Sequence, residues 1–151
     1  MESNTQEIEE IYHRKVSLFR ELLDCVVLER DNLINLDIKN LWDVMEEKQK
    51  ILESIENARD QIKDITGEGS PYHNIPIEDR TVIKELSRTL ADLNEEIKIR
   101  VRENVSFIED TLSFFNEIIS SFTMAGRPGD SYGPGGNSRK GLPNLIYYNE
   151  V

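Results

Sequence analysis

The chain has 151 residues and a mass of 17.5 kDa, and its 29 acidic and 18 basic side chains give a formal net charge of −11, which suits one domain and opposes contact with a polyphosphate. Five Phe, five Tyr and one Trp are few for an enzyme with a deep pocket and ordinary for long amphipathic helices. The longest apolar runs, residues 25–28 and 145–148, are four residues each, against the ~20 that cross a bilayer, so neither direct membrane insertion nor a secretory leader is expected, and a cytoplasmic protein with protein partners, not nucleic acid, is.

Residues 1–66 and 77–125 contain neither glycine nor proline. This predicts one helix at about 5–66, a loop at 67–77 and a second helix at about 78–123. Gly67 stands at the C-cap of the first helix with Pro71 beyond it, and Glu78 and Asp79 bring acids to the first turn of the second. The first helix carries an apolar stripe through Leu22, Val26, Leu33, Leu36, Val44, Ile51, Ile55, Ala58, Ile62 and Ile65, interrupted by Glu29, Asn40 and Glu47. Asn35-Leu36-Asp37 offers a helix cap, so a bend near Asp37 is open. In a straight hairpin, Ile8, Ile11, Tyr12, Val16, Leu18 and Phe19 would overhang without a partner.

Three features of this tract invite chemistry and give little. Cys25, the one cysteine, sits among Val26, Val27 and Leu28 as a small buried hydrophobe, with no histidine or asparagine set to activate it. Glu10 and His13 have the spacing of a helical metal-ligand pair, but a di-metal bundle needs a second copy and further carboxylates. The residues after His13, Arg14-Lys15-Val16, also lack the pattern of a phosphotransfer histidine, so His13 reads as solvated surface. Trp42 falls beside Leu41 and Met45 and is expected to pack against the core. No catalytic, cofactor-binding or metal-ligating residue is assigned, and an enzyme is not expected.

The second helix has an almost unbroken stripe: Ile83, Leu86, Leu90, Leu93, Ile97, Val101, Val105, Ile108, Leu112, Phe115, Ile119 and Phe122. The stripe doubles at Phe107/Ile108, Phe114/Phe115 and Ile118/Ile119, as it does on the first helix at Leu18/Phe19, Leu22/Leu23 and Val26/Val27. A two-helix seam needs fewer apolar positions. The surplus calls for a third helix, a second subunit in a homodimer, or a client. The predicted fold is therefore all-α: a long antiparallel hairpin, or an elongated coiled-coil-like bundle, over residues 1–125.

Six of the eight glycines and three of the five prolines fall between residues 126 and 143, so residues 126–151 read as a flexible tail. The glycines of Tyr132-Gly133-Pro134-Gly135-Gly136 have no strand before them and no Lys-Ser/Thr after them, which removes a phosphate-binding loop. Leu145, Ile146, Tyr147 and Tyr148 form an apolar cluster that a purely solvating tail would not carry. The candidate partner-binding residues are thus Phe114, Phe115, Ile118, Ile119, Phe122 and Met124 on the second helix, with Tyr132, Leu145, Ile146, Tyr147 and Tyr148 on the tail.

The order Leu22-Leu23, Glu29, Leu33, Asp37, Leu41, Lys48, Ile51-Leu52, Ile55 and Arg59 resembles the first helix of the FlgN-type flagellar export chaperones. Glu103-Asn104 followed by Phe107-Ile108, and then Ser131-Tyr132-Gly133, are similar to that family's second helix and tail. The aromatic end at 145–148 departs from the basic endings of some members. The resemblance implies a cytoplasmic chaperone that binds hook–filament junction (hook-associated) proteins, prevents their premature assembly and delivers them to an export-gate component of the flagellar type III secretion apparatus. A structural coiled-coil homodimer, and a chaperone for the filament cap or filament subunit, are the alternatives.

Overall fold

A computed structural model describes residues 2–70 and 72–126, which form three α-helices and no strand: α1 (Glu2–Ile34), α2 (Ile38–Thr66) and α3 (Arg80–Gly126). The fold of the described residues is all-α, as expected. They divide into two compact units, one ending at Lys98 and the other starting at Ile99, and α3 contributes to both.

The expected first helix at about 5–66 is in fact two helices, and the bend allowed near Asp37 is a full break. Leu36 adopts the left-handed conformation, with φ 54°. Around it the Asp37 N–H donates to the Asn32 carbonyl at 2.9 Å and the Leu36 N–H to the Leu33 carbonyl at 3.3 Å, the pair of bonds that closes a Schellman motif. Asp37 then caps α2: its Oδ1 accepts from the Asn40 N–H at 3.3 Å and its Oδ2 from the Asn40 side-chain amide at 2.6 Å. One three-residue segment thus ends one helix and starts the next with no glycine or proline.

Leucine is a poor choice for that position, because its Cβ crowds the carbonyl in the left-handed region, where asparagine and glycine are at ease. Leu36 is also 67% exposed, so its side chain returns little to the core. Leu36→Asn is expected to stabilise the fold by about 1 kcal/mol, read as a melting temperature roughly 3 °C higher; a lower one would show that the leucine packs usefully.

Reversal at this turn lays α1 antiparallel on α2. Arg14 donates to the Gln61 side-chain carbonyl, while Lys48 Nζ lies 2.8 Å from Glu29 Oε2, so the partner moves toward the end of α2 as one moves toward the start of α1. The predicted N-terminal overhang is therefore corrected. Ile8, Ile11, Tyr12, Val16 and Phe19 are buried, together with Leu22 and Val26, because α2 folds back beside them. Ile51, Leu52, Ile55, Ala58 and Ile62 supply the facing stripe of α2. Ile83, Leu90 and Ile97, from the first part of α3, complete the apolar core of this unit. Most of the first tract's surplus is thus covered by α2 and the start of α3, while Val27 stays exposed.

Gly67 ends α2 with φ 74° and its N–H bonded to the Lys63 carbonyl at 2.8 Å, as a C-cap glycine should. The connector is anchored by Ile75, a buried residue whose carbonyl accepts from Arg80 Nε at 2.9 Å.

Polar groups enter this core at defined places. Glu29 and Lys48 form an ion pair with side chains only 3% and 7% exposed. Asn32, one turn after Glu29, is buried with its Nδ2 lacking a partner among the described residues. Near the other end of α1, burial raises the Tyr12 hydroxyl above its ordinary value, against the opposing effect of its hydrogen bond with Ser87. Lys15 is buried over the Tyr12 ring, its Nζ 5.9 Å from the centroid.

Burial, and after it the positive charge of Arg59, hold the Lys15 ammonium below the usual lysine value. The unfolded chain therefore keeps this proton more tightly than the folded one, and the charged form weakens the fold. Lys15→Met is expected to raise the melting temperature by roughly a few degrees at neutral pH. The gain should shrink as the pH climbs toward 10.5 and vanish above it, where the lysine is neutral in both states. A gain that stays constant up to that pH would assign it to packing alone.

Candidate partner-binding site

The chemistry set aside in the sequence stays at the surface. His13 lies 3.6 Å from Glu9, one turn earlier on α1, with both side chains solvent-exposed. Among the described residues no three His, Cys, Asp or Glu side chains are grouped as a metal site. No helix there is long and apolar enough to cross a membrane. Cys25 is only half-buried; burial first, and then the Glu47 carboxylate, push its thiol above the ordinary value, which leaves little thiolate to react.

In the second unit the apolar stripe of α3 emerges into solvent. Leu112, Phe114, Phe115, Ile118, Ile119 and Phe122 are all exposed, Phe114 at 60% and Phe122 at 79%. Leu112, Phe115, Ile119 and Phe122 recur at three- and four-residue steps and share one helical face, while Phe114 and Ile118 widen it. The Phe114 and Phe115 rings stand 6.2 Å apart and tilted by 60°, a favourable edge-on geometry. Between residues 111 and 126 the only charge is Glu117. Of the remaining candidate residues, Met124 lies in the last turn of α3 by its backbone, and Tyr132, Leu145, Ile146, Tyr147 and Tyr148 lie outside the described residues.

The sequence of this stretch is also a poor helix former. From Thr111 to Thr123 the chain uses Thr, Ser, Phe, Asn and Ile at eleven of thirteen positions, residues that lose rotamer freedom in a helix or compete for its backbone. The competition is visible: the Thr111 hydroxyl donates to the Phe107 carbonyl at 2.7 Å and the Ser121 hydroxyl to the Glu117 carbonyl at 2.9 Å. A helix with weak intrinsic propensity is normally held by burial of its apolar face. Here that face is open.

A second exposed cluster was missed in the sequence. Trp42, expected against the core, is 66% exposed, and Ile34, Leu36 and Ile38 around the α1–α2 turn are each more than half exposed. The physical reason is the break itself: α2 starts afresh at Ile38, so a stripe drawn through Leu33, Leu36 and Val44 joins positions that no single helical face holds. The capping pattern Asn35-Leu36-Asp37 was the available signal.

Residues named by the resemblance have structural work in this fold. Glu29 and Lys48 are the buried pair, Asp37 is the N-cap of α2, and Leu22, Ile51, Leu52 and Ile55 are core. No curated protein and no solved structure matches the chain. The profile of one protein family, described as FlgN protein, matches residues 1–140. With that match over nearly the whole sequence, the chain belongs to the FlgN family, whose members are flagellar export chaperones and not enzymes.

Proposed function

We propose that this chain is a cytoplasmic chaperone for the hook–filament junction proteins. It holds their terminal helices unassembled and delivers them to the export gate of the flagellar type III secretion apparatus. The single observation that carries this reading is the exposed α3 face of Leu112, Phe114, Phe115, Ile118, Ile119 and Phe122. Soluble proteins seldom leave so contiguous an apolar strip open unless something binds there. An amphipathic helix fits such a strip with its own anchors at three- and four-residue steps. The tail, through Tyr132 and the 145–148 cluster, folds over the docked helix. Ordering of the tail and of the last turns of α3 on binding offsets part of the contact energy, so the grip stays moderate and delivery remains reversible.

Amide hydrogen exchange of the full chain tests this, with and without a terminal-helix peptide of a hook-associated protein. The amides of residues 112–126 are expected to be the least protected of the three helices in the free chain and to gain protection with the peptide. Unchanged exchange in that stretch would overturn the reading. Protection that appears without peptide as the protein concentration rises would replace the client with a homodimer. Stronger protection by a filament-cap or filament-subunit peptide would keep the chaperone and change its client.

A further inference from the structure

The α1–α2 turn carries an exposed apolar cluster whose chemistry differs from that of the α3 face. Ile34, Leu36, Ile38 and Trp42 fall within nine residues of chain, each more than half exposed. Ile38 and Trp42 are one turn apart on α2 and share a face. Residues 31–47 carry five acids, Asp31, Asp37, Asp43, Glu46 and Glu47, against the single base Lys39, which places −4 of the chain's −11 net charge on 17 of its 151 residues. The α3 face has one charge over a similar length. An apolar surface within so acidic a stretch selects a different ligand from one lined by phenylalanine and serine.

Leu36 adds an independent observation. It holds a left-handed backbone at a position where asparagine would be relaxed, and it presents its side chain to water instead of the core. Strain kept at an exposed position marks a residue whose use lies outside the fold's own stability.

We propose that Leu36, Ile38 and Trp42, with Ile34 beside them, are a docking surface for a basic amphipathic helix on a partner protein. The partner's apolar stripe covers Trp42 and the aliphatic side chains, and its flanking lysines or arginines meet Asp43, Glu46 and their neighbours. Among the described residues Glu46 is held by an exposed contact with Lys50 at 3.8 Å, which is cheaply exchanged. This surface does not depend on the client reading of α3, and it gives the chaperone a way to engage a second protein.

Trp42 is the only tryptophan, so its fluorescence reports this site alone. The probe is a synthetic 18-residue leucine–lysine amphipathic peptide added to the full chain, with a leucine–glutamate peptide of the same pattern as control. Expected is a saturable blue shift of Trp42 emission with the lysine peptide alone, accompanied by protection from iodide quenching. The apparent affinity should weaken at least tenfold in Leu36→Asn, a variant chosen because it strengthens the fold, and at least tenfold in the double variant Asp43→Lys with Glu46→Lys. Phe115→Ser with Phe122→Ser should leave the response unchanged. No shift, an equal shift with the glutamate peptide, or loss of the response in the Phe115/Phe122 variant would each overturn the proposal. So would a blue shift that follows the chain's own concentration, which would make the occupant a second copy.

Discussion

Glu29→Leu is expected to cost the fold about 4 kcal/mol, because it leaves the buried Lys48 ammonium with no other carboxylate at ion-pair distance among the described residues. The melting temperature should fall by roughly 12 °C. Lys48→Met should cost a similar amount by stranding the Glu29 carboxylate. The double variant, Glu29→Leu with Lys48→Met, should return to within about 1 kcal/mol of the parent or exceed it, because two charges removed together need no compensation and methionine fills the lysine's volume. Thermal melts of the four proteins give the coupling directly. Additive losses would show that the 2.8 Å contact between the two side chains contributes nothing, and that each group is satisfied by something else.

The value of such a pair lies in what it forbids. An α1–α2 hairpin built from aliphatic stripes alone could slide by one turn and still bury Ile, Leu and Val. With Glu29 fixed opposite Lys48, a slip of one turn would bury both charges apart. The pair thus selects one register, the use of buried charge that is best attested.

Substitution on the α3 face should do the opposite: change binding and spare the fold. Phe115→Ser and Phe122→Ser remove large side chains that already stand in solvent, so each variant's melting temperature is expected to stay within about 2 °C of the parent. Each should weaken capture of a hook-associated terminal helix by about 30-fold, the loss of roughly 2 kcal/mol that an anchoring aromatic carries at the centre of an interface. Titration calorimetry against the client peptide reads this, and the heat-capacity change of binding should become less negative as apolar contact is lost. Unaltered affinity in both variants would remove the α3 face as the client surface. A large fall in melting temperature would show that the two rings are core after all.

Some of this architecture was written plainly in the sequence. Absence of glycine and proline marks both long helical tracts, and Gly67 ends α2 where the composition says it should. The break at residues 35–37 hid because the chain uses leucine where glycine is the usual signal, and the cap on Asp37 supported either a bend or a stop. Trp42 was misplaced for the same reason, since its neighbours Leu41 and Met45 suggested a core face that belongs to no continuous helix. The burial of Lys48 was not legible: a lysine among acids reads as surface, and its low exposure and its distance to Glu29 show otherwise.

The α3 stripe was legible as a pattern, but its burial was not. Leu90 and Phe115 occupy equivalent steps of one periodicity, and one is 1% exposed while the other is open. Periodicity tells which residues share a face and says nothing of whether that face has a neighbour. What separates the two stretches in the sequence is propensity, since residues 80–98 are rich in Leu, Glu, Lys and Arg and residues 111–123 are not.

α3 is one unbroken rod of 47 residues, about 70 Å at 1.5 Å per residue, and its weakest turns are its last. Loss of order there starts from the tip and advances like a frayed cord, one turn at a time. On the proposed reading, a client seated on those turns is peeled away one turn after another, and the effort of unloading is spread over many small steps instead of one large one.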